Sequence, residues 1–284
     1  MILLPFLDNQ RVSIFAIEAG FGTHPWARAF TWLGHSVVSF GFSSSPIRTT
    51  GMTPQQSLEQ QDLLAVHRIR EHLVSQRNGL CNQIRSLLGE YGIVLPQAIA
   101  RLCREVPLVW RMRRTNSPSE DAASMLQELR DLEKRIKPYA LAIEQASVES
   151  STCKRLRSIP GIGPIGATAV VATMGDPKAF KNGRHFAAFL GLVPRQHSSG
   201  GKAQLGRISR SGDVYVRRIL IRGAHSILRR IDVGDGRRTE WLRGLMARRG
   251  RQVAAVALAG KNERVAWRLL RHETYYDPDF TAAT

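Results

Sequence analysis

The chain has 284 residues, room for about two domains, and 43% of them are hydrophobic, which excludes global disorder. Its 41 Lys and Arg against 23 Asp and Glu leave a formal charge of +18, an excess that points to a polyanionic partner. A membrane-surface role competes for that charge, but no uncharged apolar run is long enough to span a bilayer.

The first residues, MILLPFLDNQ, are apolar, yet Pro5 and Asp8 interrupt them and no basic segment leads them. They read as a buried strand region rather than a signal peptide. VSIFAIEA (residues 12–19) is short and β-branched, the pattern of a buried strand. HPWARAFTWLGH follows as a helix with Pro25 in its first turn and Gly34 at its end. SVVSF is a second strand, and GFSSSPIRTTGMTP is a loop or linker.

Residues 55–92 contain no proline and space Leu63, Val66, Ile69, Leu73, Leu80, Ile84 and Leu87 as one helix face. Residues 119–149 repeat the pattern with Leu126, Leu129, Leu132, Ile136 and Ile143. Two long amphipathic helices with a proline-containing connection predict a helical hairpin or coiled coil over 55–149. Such an arm serves as a spacer or makes a homo-oligomer; contact with DNA along its basic residues is the alternative.

Beyond residue 150 the chain turns into short, densely basic helical pieces. RSIPGIGPIGATAVVATMG packs Pro160, Gly161, Gly163 and Pro164 between apolar segments. Glycine reaches positive φ freely, and proline suits a first helical turn, so the stretch reads as helix, tight hairpin, helix. Such a hairpin offers backbone N–H groups to a phosphate oxygen; an ordinary core turn has the same spacing. No GK[ST] follows and a helix precedes it, which excludes a nucleotide-binding P-loop. Asp176 caps a helix starting at Pro177, and Asn182-Gly183 closes it. RHFAAFLGL reads as the next helix. RQHSSGGKAQLGRISRSGD is a flexible cationic loop carrying Lys202, Arg207 and Arg210. VYVRRILIRGAHSILRRI is amphipathic, with Val216, Leu220, Gly223 and Ile227 on one face and Arg218, Arg222, His225 and Arg229 on another. A solvated face explains such a stripe in isolation; beside a phosphate-seeking hairpin it fits a duplex. The predicted DNA contacts are therefore Pro160, Gly161, Gly163, Lys202, Arg207, Arg210, Arg218, Arg222 and Arg229. Cys81, Cys103 and Cys153 form no CxxC pair, which suits a reduced cytoplasmic, nucleoid-associated protein without a zinc site.

The run from LRSIPGIGPIGATAVVATMGDPKAF to RSGDVYVRRILIRGA, with VALAGKNERVAWRLLRHE near the end, resembles a bacterial insertion-sequence transposase family. Members of that family join a RuvC-like DEDD domain, a coiled coil and a C-terminal domain with a nucleophilic serine, and some are guided by a bridge RNA. The resemblance spans residues 150–272 and extends loosely over 55–149 and IEAGFGTHPWARAFTWLGHSV. It implies a mainly α fold: a RuvC-like α/β remnant at 1–50, the helical arm at 55–149, the transposase domain at 150–275 with a helix-hairpin-helix-like element, and a tail at 276–284. It also implies DNA as substrate, a guide-type RNA and Mg²⁺. The serine before a glycine in the family's SSGG-like loop matches Ser199, and the family's strand glutamate matches Glu18. Taken by itself, Ser-Ser-Gly-Gly is an ordinary flexible turn.

The family's other acids do not match. Its first-strand aspartate has no counterpart upstream of Glu18, and its paired Asp-x-x-Asp should follow SVVSF, where GFSSSPIRTTGMTPQQ has no acid. One carboxylate rarely holds Mg²⁺. The expectation is a truncated, internally deleted transposase that binds DNA and has lost its metal-dependent chemistry. The rival readings are a non-catalytic nucleic-acid-binding protein, acting as a repressor or interfering fragment, and a decayed fragment without a selected role.

Overall fold

The computed structural model describes residues 11–18, 23–40, 56–95, 97–112, 118–196, 205–210, 212–233 and 236–278. The fold is mainly α. The elements in order are β1 (Ile14–Glu18), α1 (Thr23–Trp32), β2 (Ser36–Phe40), α2 (Leu58–Glu90), α3 (Ile99–Met112), α4 (Pro118–Glu149), α5 (Ser151–Arg157), α6 (Pro164–Met174), α7 (Gly183–Phe189), β3 (Pro194–Gln196), β4 (Leu205–Ile208), α8 (Val214–Leu228), α9 (Arg237–Arg249) and α10 (Arg251–His272). Short 3₁₀ turns lie at Pro177–Ala179 and Ile231–Val233. Among the described residues no helix is long and apolar enough to cross a membrane.

The chain divides into two compact units, Leu64–Gln145 and the remainder. In the first, Leu73, Leu80, Cys81, Ile84 and Leu88 of α2 pack with Leu102 and Val106 of α3 and Leu126, Leu129, Leu132 and Ile136 of α4. The leucines expected on residues 119–149 are all buried. On α2 the expected Leu73, Leu80 and Ile84 are buried, but the rest of the expected face is not. Leu64, His67 and Leu88 are buried, whereas Ile69 and Leu87 lie 43% and 39% exposed. α3 is an unforeseen third helix in the connection, which accommodates Pro107 inside its span and adds Leu102 and Val106 to this core. An Arg77–Glu133 ion pair at 2.9 Å ties α2 to α4.

In the other unit, β1 and β2 pair in parallel through α1, with Ile14 opposite Ser36 and Glu18 opposite Phe40. Gly34 ends that connection at φ +84°. From Ser150 onward, α10 is the organising helix. α5, α7, α8 and α9 all pack against it, around Leu258, Ala259, Ala266 and Leu269. α6 is apolar on every side and is buried from Gly166 to Val170 and from Ala172 to Met174, as an interior helix must be. Local signals set the ends. Ser150 accepts from Cys153 N, Asp176 from Lys178 N and Asp213 from Tyr215 N and Val216 N. Asn182 corrects an expectation. Its side chain accepts from His185 N at 2.9 Å, so it opens α7 instead of closing the turn before it. Cys81, Cys103 and Cys153 are free thiols.

Candidate nucleic-acid interface

The glycine-rich stretch joins α5 to α6 by a tight turn. Ser158 N donates to Arg155 O, Ile159 N to Leu156 O and Ile162 N to Ile159 O. Ile159 and Ile162 point into the core, while Pro160 and Gly163 are exposed. Gly161 has φ +91°, a conformation that L side chains rarely adopt. It also lies against α8. A Cβ on Gly161 would stand 3.0 Å from Gly223 O, and one on Gly223 would overlap the Gly161 carbonyl. Gly161 is therefore a packing residue as well as a turn residue. Gly163 differs. It starts α6 in extended geometry, no side chain caps it, and open space surrounds its missing Cβ.

Three residues that sequence reasoning missed hold this turn from outside it. Arg238 of α9 and Asn262 of α10 both donate to Pro160 O, at 3.2 and 3.0 Å. Arg238 also donates to Asn262 Oδ1 at 2.7 Å and to Tyr276 OH at 3.0 Å, and its guanidinium lies 5.6 Å from the Tyr276 ring centre. Tyr276 N in turn donates to Ser158 Oγ at 3.0 Å. Donors 78 and 102 positions away in the chain thus fix one carbonyl.

The cationic residues sort by face. On α8, Val216, Leu220, Ala224 and Leu228 are buried, while Gly223 and Ile227 sit half-buried at the edge of that face. Arg218 and Arg222 are exposed, as is Arg229 at the helix C-cap; His225 is half-buried. Arg217 turns inward. It is 7% exposed, donates to Leu190 O at 2.9 Å, and burial pulls its pKa below the usual guanidinium range. Arg207 and Arg210 are also exposed, and Arg207 lies on a strand instead of the expected loop. Residues 205–208 form β4, which pairs antiparallel with β3, Pro194 opposite Ile208 and Gln196 opposite Leu205. Arg210 sits just past β4 at φ +59°, its N–H donating to Gly191 O. Lys202 and Ser199 fall between the two strands, outside the described residues.

Two further groups on α10 have shifted acidities, Glu263 in the interior and Lys261 at the surface. Glu263 of α10 is fully buried, and neither carboxyl oxygen has a hydrogen-bond partner. Burial pushes its pKa up to about 9, against the pull of Arg264 and Arg217. Lys261 stacks over Trp241 at 5.0 Å, and its pKa is lowered by burial and by Arg238 and Arg264. Glu18 ends β1, and among the described residues no three His, Cys, Asp or Glu side chains converge as metal ligands.

Residues 153–239 match the model described as the transposase IS116/IS110/IS902 family. That segment runs from α5 to the first turn of α9. A probable family 20 transposase of Pseudomonas aeruginosa is 38% identical over 291 positions, which cover 93% of this chain and 86% of that protein. The transposase for insertion sequence element IS1328 of Yersinia enterocolitica is 32% identical over 295 positions, with coverage of 93% and 86%. The transposase for insertion sequence element IS1111A of Coxiella burnetii is 39% identical over 230 positions, with coverage of 78% and 62%. The first two alignments exceed the 284 residues of the chain, so those relatives carry residues within the aligned stretch that this chain lacks. On this likeness the chain belongs to the IS116/IS110/IS902 family of transposases.

Proposed function

We propose that the chain binds DNA through its C-terminal unit and descends from an enzyme that cut and rejoined DNA strands with Ser199. The exposed cations of α8 and β4 carry this reading. Arg207, Arg210, Arg218, Arg222 and Arg229 all reach solvent, and phosphate neutralisation by such residues supplies most non-specific affinity. The open end of α6 at Gly163 adds a backbone contact without sequence preference. Lys202 lies on the segment between β3 and β4 and would join them.

The ancestral step is a phosphoryl transfer. Ser199 Oγ bonds phosphorus as the P–O3′ bond breaks, the hydroxyl proton passes to base or solvent, and the 3′ oxygen takes up a proton. Mg²⁺ would stabilise the charge on the phosphoryl oxygens. The described residues do not fit that ion. Glu18 is the only acid on β1 and β2, and residues 41–57 contain none. This favours the second reading, a DNA-binding member that no longer completes transposition. A RuvC-like origin for the β1–α1–β2 layer, a guide-type RNA and self-association through the helical arm belong to the same proposal. For self-association the exposed Ile69, Leu87, Leu108, Leu141 and Val148 are among the available apolar residues, since the buried leucines already pack within the unit.

The test is the salt dependence of DNA affinity. From roughly 50 to 200 mM salt, affinity should fall about 10³-fold or more if six phosphates are contacted. Arg218→Ala with Arg222→Ala should make the log–log slope shallower by up to about two units. An affinity flat across this range would sink the reading.

A further inference from the structure

The junction of α9 and α10 carries the strongest unexplained charge on the chain. Residues 241–262 contain five cations, Arg243, Arg248, Arg249, Arg251 and Lys261, and no acid. Of the flanking acids, Glu240 is exposed and Glu263 is buried. Lys261 is engaged with Trp241, and Arg243 donates to Ile231 O at 3.0 Å. Arg248, Arg249 and Arg251 are exposed, and the ion pairs among the described residues leave all three out.

Local electrostatics account for only part of this. Arg248 and Arg249 sit in the last turn of α9, where helix carbonyls favour a cation. Arg251 does not benefit in this way. Gly250, at φ +79°, turns the chain in a single residue, so Arg251 opens α10, at the end where the helix dipole disfavours positive charge. The first turn of α10 holds no acid to offset it. Three guanidinium groups thus crowd one corner at a cost to the free protein. Gln252 and the 49% exposed Val253 lie beside them. A cationic corner with an amide and an apolar side chain suits a duplex: cations for phosphates, the amide for a base edge, the methyls for a thymine methyl or a sugar.

We propose that the corner formed by Arg248, Arg249, Arg251, Gln252 and Val253 is a second DNA-binding surface, in addition to the cationic face of α8. α8 buries its opposite face against the unit's core, where α10 lies. Arg218 and Arg222 therefore point away from the helix that Arg251 begins. A chain with two such surfaces holds two segments of duplex, or one segment wrapped past both. This rests on the reading that the chain binds DNA.

The experiment measures affinity of the full chain for a random duplex of about 30 base pairs across a salt series. The triple variant Arg248→Ala, Arg249→Ala, Arg251→Ala should make the log–log slope shallower by up to about three units. It should do so in addition to the α8 double variant. The corresponding triple lysine variant keeps the charge and should retain the slope. Thermal melting checks that each variant folds, which exposed positions favour. If the triple alanine variant folds and keeps the wild-type slope, the corner does not bind DNA. The proposal is equally overturned if its slope changes only for single-stranded RNA of equal length. If the α8 variant responds and the corner variant does not, this proposal fails while DNA binding stands. If the wild-type chain binds no duplex, the underlying reading fails first.

Discussion

Gly161 and Gly223 meet backbone to backbone, the turn between α5 and α6 resting on the middle of α8 with no side chain between them. Gly223→Ala would drive a methyl into the Gly161 carbonyl, which neither main chain can avoid without moving. Gly161→Ala adds positive-φ strain to a 3.0 Å contact with Gly223 O. Each should destabilise the unit by about 2 kcal/mol or more. Gly163→Ala meets open space at ordinary φ and should cost less than about 1 kcal/mol. Thermal unfolding ranks the three, and a Gly223→Ala melt equal to wild type would contradict the close approach. Gly163→Ala also becomes the clean probe of backbone contact with DNA, since its fold survives.

The hold on Pro160 O predicts a coupled pair. Asn262→Ala removes one donor to that carbonyl and leaves Arg238 without its 2.7 Å partner; Arg238→Ala removes the other donor and frees Tyr276. Each single change should cost about 1–3 kcal/mol. The double variant should cost clearly less than their sum, because both break one network. Additive losses in a denaturant-unfolding cycle would show that the two residues act independently.

The sequence made the local elements legible and the long-range ones not. β1, α1 and β2 fall where strand and helix patterns place them, with Gly34 between α1 and β2, because periodicity and glycine act within a few residues. The expected burial of residues 12–19 does not hold, since Val12 and Ile14 are exposed. The buried leucines of α4 follow for the same reason. The face of α2 was legible only in part, and α3 not at all, since Pro107 argues against a helix there. Asn182 was ambiguous because asparagine serves both at helix starts and before a closing glycine. The hairpin's glycines and proline announced a turn, but nothing local shows that Gly161 would rest on Gly223, 62 positions away. Among the arginines, Arg217 and Arg218 are neighbours in sequence and opposites in burial. Only the tertiary partner Leu190 O explains the first. Glu263 gave no signal either: a glutamate in a basic helix reads as solvated, and here it is enclosed.

Glu263 predicts a pH dependence. In the fold its carboxyl stays protonated up to about pH 9, whereas in the unfolded chain it ionises at its ordinary 4.5. Unfolding above pH 4.5 therefore releases a proton. Raising the pH from about 4.5 towards about 9 lowers stability, by up to about 1.4 kcal/mol per pH unit from this group. Below that window the penalty is absent; above it the penalty is constant. Glu263→Gln cannot ionise and should flatten the dependence relative to wild type. Melting temperatures of both proteins across this window decide it, and parallel curves would show that the carboxyl is already paired.

Ser199 carries the last prediction: the native chain forms no covalent adduct with DNA, although the serine is present. Attack on phosphorus requires the hydroxyl, the phosphate and a stabilising charge in register, and a misplacement of about 1 Å costs on the order of 10² in rate. Glu18 supplies one carboxylate at the end of β1, and residues 41–57 supply none. A Mg²⁺ ion held by one carboxylate remains mostly bound to water and free to shift. The assay mixes the protein with donor and target duplexes, Mg²⁺ and any transcript flanking the gene, and looks for protein–DNA adducts and recombinant junctions. Ser199→Ala is the control. Junctions from the native chain that vanish in Ser199→Ala would overturn the loss of activity and establish the nucleophile. Adducts without junctions would place the defect after the first attack. Adducts that persist in Ser199→Ala would assign the chemistry to another residue. The expected result is duplex binding that is equal in both proteins, with no adduct in either.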